Sequence, residues 1–130
     1  MTSQITRKAS GDSRPQVVNM YLIGYTSLMF NIKTLQEFDD WLSGLKDSRT
    51  RIRLARRIER AARGNLGDVA PVGENIHEMR EFFGPGWRMY YIQQGDTLIV
   101  MLGGGDKSTQ SKDISKAKRL AKSLEGRSRT

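Results

Sequence analysis

The hydrophobic pattern of this chain changes its period near residue 65, and this change restricts the fold more than any other feature. Before that point, apolar residues recur every three or four positions, as in helices that bury one side. Beyond it, short apolar runs alternate with glycine-rich and polar turns, as in strands joined by tight connections. The sequence therefore predicts an α+β domain with a sheet and packed helices.

The segment before the change begins with a strand and a short helix. MFNIK at 29–33 is typical of a strand. Thr34 and Glu37 have the spacing of a capping box, which predicts that the first helix begins there. Its apolar stripe consists of Phe38, Trp41, Leu42 and Leu45.

A second helix is predicted from about Ser48 to Arg63, followed by Gly64 and Asn65, which suit a left-handed position after a helix. One side is apolar: Leu54, Ala55, Ile58, Ala61 and Ala62. The opposite side carries five arginines, which we call the arginine ridge: Arg49, Arg53, Arg56, Arg60 and Arg63. Because the connection is short, the two helices should form an antiparallel hairpin with the ridge outward.

The segment after the change predicts three strands and a last helix. Residues 65–75 are rich in turn formers, and the runs at 76–83, 87–92 and 97–102 indicate a three-stranded antiparallel meander. Ser108 or Thr109 can cap a helix that ends before Gly126 and carries Ile114, Ala117, Ala121 and Leu124 on one side. We expect the helix hairpin to cover one face of the sheet and the other face to stay partly open.

The composition limits the organisation and the chemistry. With 130 residues, we expect one domain at 29–125, a loosely held N-terminal extension at 1–28 and a basic tail at 126–130. There is no cysteine and one histidine, His77, which leaves little for a thiolate metal site or a catalytic triad. No apolar run reaches the ~20 residues of a membrane span, so we expect a cytoplasmic protein without membrane contact. The formal charge of +8 favours a polyanionic partner such as nucleic acid.

The stretch LGGGDKSTQSKDI at 102–114 resembles a nucleotide-binding loop only superficially. That loop would place glycine where Asp106 and Met101 stand, so no nucleotide cofactor is expected. The glycines can instead let the backbone approach an RNA phosphate, with Lys107 and a helix N-terminus beside it.

Two long motifs, FDDWLSGLKD and GNLGDVAPVGENIHEMREFFGPGWRMYYIQQGDTLIVMLGGGDKSTQSKDI, resemble the RelE/ParE superfamily of bacterial toxins. The resemblance covers roughly Met29–Leu124 and is strongest to the branch called addiction module killer proteins, or HigB-like toxins. It implies a RelE/ParE-like fold and a type II toxin neutralised by a cognate antitoxin, often one with a helix-turn-helix. Many members cleave mRNA in the ribosome, whereas the ParE branch inhibits DNA gyrase.

The resemblance also implies site residues. By position, the basic groups of RNA-cleaving members correspond to Arg80 in EMREFF, Arg88 in GWRMYY and Lys107 in GGGDKSTQ, which we predict to be catalytic without a metal or organic cofactor. Guanidinium groups suit this chemistry because they stay charged and grip two phosphate oxygens. Further RNA contacts are predicted at Arg49, Arg53, Arg56, Arg60, Tyr90, Gln110 and Lys112.

Each prediction has a structural alternative. Arg80 can pair with Glu78 or Glu81, and Arg88 can be a structural arginine next to Tyr90. Tyr90 can belong to the core, His77 can be a turn or packing residue, and the arginine ridge can be a solvated helix face.

The proton-transfer groups are the weakest part of the pattern. Some RNA-cleaving relatives have a tyrosine or histidine near the C-terminus, but none follows Tyr91 in this chain. Acid–base chemistry would then depend on Lys107, Lys112, Asp113 or a tyrosine of the sheet. A non-enzymatic gyrase inhibitor and a basic RNA-binding module without toxicity therefore stay open.

Overall fold

The computed structural model describes residues 29–129, with side chains to residue 125. The predicted extension at 1–28 and the side chains of the predicted tail lie outside the described residues. The elements follow in this order: β1 (Asn31–Thr34), α1 (Gln36–Ser43), α2 (Ser48–Ala62), β2 (Val69–Gly73), β3 (Ile76–Glu81), β4 (Trp87–Gln94), β5 (Leu98–Asp106), a short 3₁₀ helix (Lys107–Thr109) and α3 (Gln110–Arg129). The last helix thus continues beyond Gly126, where the sequence predicted its end.

The strands form one mixed sheet in the order β1-β5-β4-β3-β2. Strands β2 to β5 pair antiparallel, and β1 pairs parallel with β5. The α+β prediction is confirmed, but the meander has one strand more than predicted. β2 was missed because it lies among turn formers and contains Pro71; a proline is tolerated there because β2 is an edge strand.

The predicted capping box at the first helix is wrong. Thr34 ends β1, and the N-cap residue is Leu35, which makes no side-chain capping bond. The Leu35 N–H donates to the Met101 carbonyl at 3.0 Å, so pairing with β5 continues up to the helix start. The second helix is confirmed. Its cap is Asp47, whose carboxylate accepts from the Thr50 hydroxyl at 2.8 Å, and this bond lowers the pKa of Asp47.

The two faces of the sheet are both covered by helices. Successive residues of β4 and β5 alternate between two apolar clusters. The α1–α2 face is built from Met79, Met89, Tyr91, Ile99 and Met101, which pack with Phe38, Leu54, Ile58 and Ala61 of the two helices. The α3 face is built from Ile76, Tyr90, Ile92, Val100 and Leu102, which pack with Ala117 and its neighbours on α3. The expectation of a partly open second face is therefore wrong over most of its length.

The three glycines of the sequence LGGGDK belong to β5, not to a loop. A Cβ on Gly104 would collide with the Trp41 ring of α1, and a Cβ on Gly105 would collide with the Asp113 carboxylate of α3. Their absence of side chains lets a helix approach each face of the strand. Gly104 and Gly105 therefore serve the packing of the protein itself rather than the approach of a ligand.

The last helix also begins differently from the prediction. Neither Ser108 nor Thr109 caps it. The Asp106 carboxylate accepts from the Ser108 backbone N–H at 2.8 Å and from its hydroxyl at 2.5 Å, so Asp106 caps the 3₁₀ turn that leads into α3. These bonds lower the pKa of Asp106.

Candidate nucleic-acid interface

Arg88 is the second residue of β4 and faces α3 at the end of the sheet where that helix begins. In the strand register it is opposite Arg80 on β3 and Gly105 on β5. Its side chain is 7 % exposed, its Nε lies 3.9 Å from Glu78 Oε2, and its Nη1 donates to the Trp87 carbonyl at 3.1 Å. Arg88 therefore forms a buried ion pair with the Glu78 carboxylate.

Glu78 also connects the sheet to the first turn of α3. Its Oε1 accepts from Gln110 Nε2 at 2.8 Å. Gln110 is half-buried and its amide nitrogen is engaged with Glu78, so its predicted role as an RNA contact stays a prediction. Lys112, on the next turn, is exposed.

Lys107 lies beside Arg88, across the turn that joins β3 to β4. The turn contains Gly84 and Gly86 with φ of 56° and 84°. The position that a Cβ on Gly86 would occupy is 3.5 Å from Lys107 Cβ and 3.7 Å from Arg88 Nη1. Two of the three predicted catalytic residues, from β4 and from the segment after β5, therefore lie next to each other around Gly86, with Arg88 buried and Lys107 exposed.

Arg80 lies next to this pair but has a partner of its own. Its Nη2 donates to Asp68 Oδ1 at 2.9 Å and its Nε to Oδ2 at 3.3 Å. This forked pair lowers the pKa of the Asp68 carboxyl and raises the pKa of Arg80, chiefly through the hydrogen bond in each case. Pairing with Glu78 or Glu81, the structural alternative, is not found. Arg80 is one-third exposed, so its charge reaches the site but is partly balanced.

The predicted stacking of Tyr90 on a base is wrong. Its ring is fully buried in the α3 face, because Ile92, Leu102 and α3 enclose it. Its hydroxyl has no hydrogen-bond partner among the described residues. Burial raises the pKa of Tyr90, and the nearby Glu78 and Asp113 charges raise it further. Tyr90 is therefore a core residue that keeps its proton.

The arginine ridge is exposed along its whole length, as predicted: Arg49, Arg53, Arg56, Arg60 and Arg63. Because α2 packs on the α1–α2 face, the ridge and the Arg88–Lys107 pair lie on opposite sides of the sheet. Arg53 is the member with a defined neighbour, since its guanidinium lies 3.7 Å above the Phe83 ring centroid.

Arg57 is a buried arginine with several partners, and the sequence did not lead us to single it out. It is 5 % exposed and donates to the carbonyls of Arg80, Leu66 and Asp68 and to Glu81 Oε2 at 2.5 Å. These bonds tie α2 to the end of β3 and to the Asp68 loop that holds Arg80. Its signal was available: Arg57 falls one helical turn after Leu54, on the apolar side of α2 rather than among the ridge positions.

His77 stacks on Tyr91, with ring centroids 5.6 Å apart, as expected for a packing residue. Within the part of the chain that the structure describes, no three carboxylate or imidazole groups lie together as a metal site. The described helices include none that is long and apolar enough to cross a membrane.

Comparison with known proteins gives one clear relative. An uncharacterized protein of Haemophilus influenzae is 45 % identical over 97 residues, which cover 75 % of this chain and 98 % of that protein. The chain belongs to the family of this Haemophilus protein. No protein-family model and no solved structure matches the chain. The family is thus defined by sequence, and the name of the Haemophilus protein assigns no activity.

Proposed function

We propose that this chain is the toxin of a type II toxin–antitoxin pair and cleaves mRNA, in the ribosome, without a metal. We infer a RelE/ParE-like fold of the HigB-like branch. The observation that carries the proposal is the meeting of Arg88 and Lys107 beside Gly86. These residues come from two strand ends far apart in the sequence, and together they offer two cationic side chains to one phosphate group.

The reaction needs little beyond this arrangement. The ribose 2′-oxygen attacks the adjacent phosphorus and loses its proton, the bond to the 5′-oxygen breaks, and that oxygen gains a proton. The products are a 2′,3′-cyclic phosphate and a 5′-hydroxyl. Arg88 and Lys107 stabilise the extra negative charge that develops on the phosphate oxygens. Arg88 is well suited because the buried Glu78 carboxylate, 3.9 Å from its Nε, and the Trp87 carbonyl hold its guanidinium in a fixed position.

The proton-transfer partners are assigned by elimination among nearby groups. Tyr90 is buried and its pKa is raised, so it does not serve as a base. Lys107 and Lys112 are exposed near the site, and Asp113 accepts from the Thr109 hydroxyl at 2.6 Å. We assign the transfers to Lys107 and these two neighbours.

The partners follow from the charge. A net charge of +8 with an exposed ridge on α2 suits ribosomal RNA and an acidic segment of the cognate antitoxin, which we expect to carry a helix-turn-helix. The toxin would act in the cytoplasm.

RNA end mapping in cells tests the proposal. The full chain is induced in bacteria and RNA 5′ ends are mapped by primer extension, with Lys107→Ala compared to Lys122→Ala, an exposed lysine farther along α3. We expect cuts between codons that fall by roughly 100-fold in Lys107→Ala, the usual scale for loss of one charge-stabilising donor, and that persist in Lys122→Ala.

A second candidate is a toxin that inhibits DNA gyrase without RNA cleavage. It is favoured by the pairing of Arg80 with Asp68 and by the burial of Tyr90, which leave fewer free catalytic groups. Growth arrest with broken DNA and intact RNA would support this candidate. A harmless product would contradict both toxins and favour a basic RNA-binding module.

A further inference from the structure

Phe82 is an aromatic side chain that lies outside both apolar clusters of the described residues. It follows β3 directly, and 69 % of its surface is exposed. A ring with this exposure buries little area in the folded chain, so its packing contributes little to stability. Its neighbour Phe83 is the opposite case, because Phe83 packs against the core of the α1–α2 face and is covered by the Arg53 guanidinium.

The surroundings of Phe82 are cationic. The guanidinium carbon of Arg88 lies 5.6 Å from the centroid of the Phe82 ring, and that of Arg80 lies 6.0 Å from it. Phe82 also immediately precedes the turn in which Gly86 lies beside Lys107 and Arg88. An open π-face thus stands at the rim of the proposed phosphate site.

We propose that Phe82 is a stacking platform for an unpaired base of the bound RNA, one nucleotide away from the phosphate held by Arg88 and Lys107. The inference rests on the proposed function, because RNA is its ligand. Stacking between an aromatic side chain and a base, next to cations that hold the backbone, is the usual arrangement in proteins that bind single strands.

On this proposal, Phe82 rather than Tyr90 is the aromatic residue that contacts an RNA base. Every base has a π-face, so this contact adds affinity and fixes the position of the nucleotide but selects weakly among bases. Codon preference, if any, must come from other groups.

The test uses the full purified chain and a short single-stranded RNA that contains the fluorescent base 2-aminopurine. Stacking on an aromatic ring quenches this base. We compare Phe82→Leu, which keeps an apolar side chain but has no π-face, with Phe82→Trp, which keeps one. Ile52→Ala is the matched control, because Ile52 is a half-exposed apolar residue on α2.

We expect Phe82→Leu to bind the RNA about tenfold more weakly, within the range for loss of one stacked base, and to lose the quenching. Phe82→Trp and Ile52→Ala should bind as the wild type does. Because Phe82 is exposed, none of these substitutions should lower the melting temperature appreciably.

The outcomes separate the two proposals. If the wild-type chain binds the RNA and Lys107→Ala weakens it, but Phe82→Leu binds and quenches normally, the platform is wrong and the RNA proposal stands. If Phe82→Leu binds RNA normally but no longer binds the antitoxin, the ring is a protein contact and the platform is again wrong. If the wild-type chain binds no RNA at low salt, both proposals are wrong.

Discussion

The two faces of the sheet are built from the same strands but differ in what they bury. The centre of the α1–α2 face is apolar, with methionine, isoleucine and aromatic side chains under two helices, and its buried charge, Arg57, lies at the border. The α3 face is apolar only over part of its length. At the end where α3 begins, it buries Glu78 and Arg88 at 4 % and 6 % exposure, together with the Tyr90 hydroxyl, which has no hydrogen-bond partner within residues 29–125.

This difference indicates that stability and ligand binding depend mainly on different parts of the sheet. Buried charges weaken a fold unless each is well paired, and replacing such a pair with apolar groups is often neutral or stabilising. The α1–α2 face has no such cost in its centre, whereas the α3 face carries it at the point where Lys107 and Arg88 meet. We infer that the α1–α2 face mainly holds the domain together and that the end of the α3 face binds the ligand.

The largest effect should come from Arg57, at the border of the α1–α2 face. Arg57→Met removes donors to three carbonyls and leaves Glu81 without its cation. We expect a loss of about 3–5 kcal/mol in the free energy of unfolding, as for one partner of a buried ion pair. Denaturant unfolding measures it, with Arg56→Met as the exposed control. If Arg57→Met loses no more free energy of unfolding than Arg56→Met, Arg57 does not stabilise the fold as we infer.

A smaller effect should follow from substituting glycines of β5. Gly104→Ala places a Cβ against the Trp41 ring and should lower the free energy of unfolding by about 1–3 kcal/mol, the usual cost of overpacking. Gly103→Ala is the control, because no atom lies within 4 Å of its Cβ position. Equal melting temperatures for the two variants would show that the α1 contact does not require glycine.

The smallest effect on stability is expected from Glu78→Gln at the charged end of the α3 face. The new amide oxygen can still accept from Gln110, and Arg88 keeps its bond to the Trp87 carbonyl. Only the charge 3.9 Å from Arg88 Nε is lost, a longer contact than that of Arg57 with Glu81, so we expect a cost of about 1 kcal/mol. Because the Glu78 charge raises the pKa of Tyr90, the variant should lower that pKa. The pKa of Tyr90 should still stay above that of an exposed tyrosine, because burial contributes most to raising it. Ultraviolet titration of the tyrosines measures this pKa. If the pKa of Tyr90 is the same in the variant and the wild type, the Glu78 charge does not act on Tyr90.

Local patterns predicted the elements whose partners are local. The stripe of α2, its cap region and the strands β3 and β4 follow from spacing alone. Thr34 failed as a cap because the next residue still pairs with Met101, a contact distant in sequence. β2 failed because its glycine and proline are typical of turns, and only its place at the sheet edge makes them compatible with a strand.

The candidate site was also predicted only in part, because some of its features depend on contacts between residues that are distant in the sequence. Arg88 and Lys107 were found by motif, and the structure brings them together. Phe82 and Phe83 could not be told apart, because strand register decides which ring is exposed. Tyr90 was assigned to RNA although its alternation with Met89 and Tyr91 also suited a core residue, and burial on both faces of β4 decided the matter.

A double-mutant cycle on RNA affinity tests the central claim most directly. The dissociation constant of one single-stranded RNA is measured for the wild type, Lys107→Ala, Arg88→Gln and the double variant, each checked for folding by circular dichroism. If both side chains hold the same phosphate, the two losses are coupled by at least about 0.5 kcal/mol. Losses that add within about 0.3 kcal/mol would mean that Arg88 and Lys107 act at separate places, and the proposed phosphate site would be contradicted.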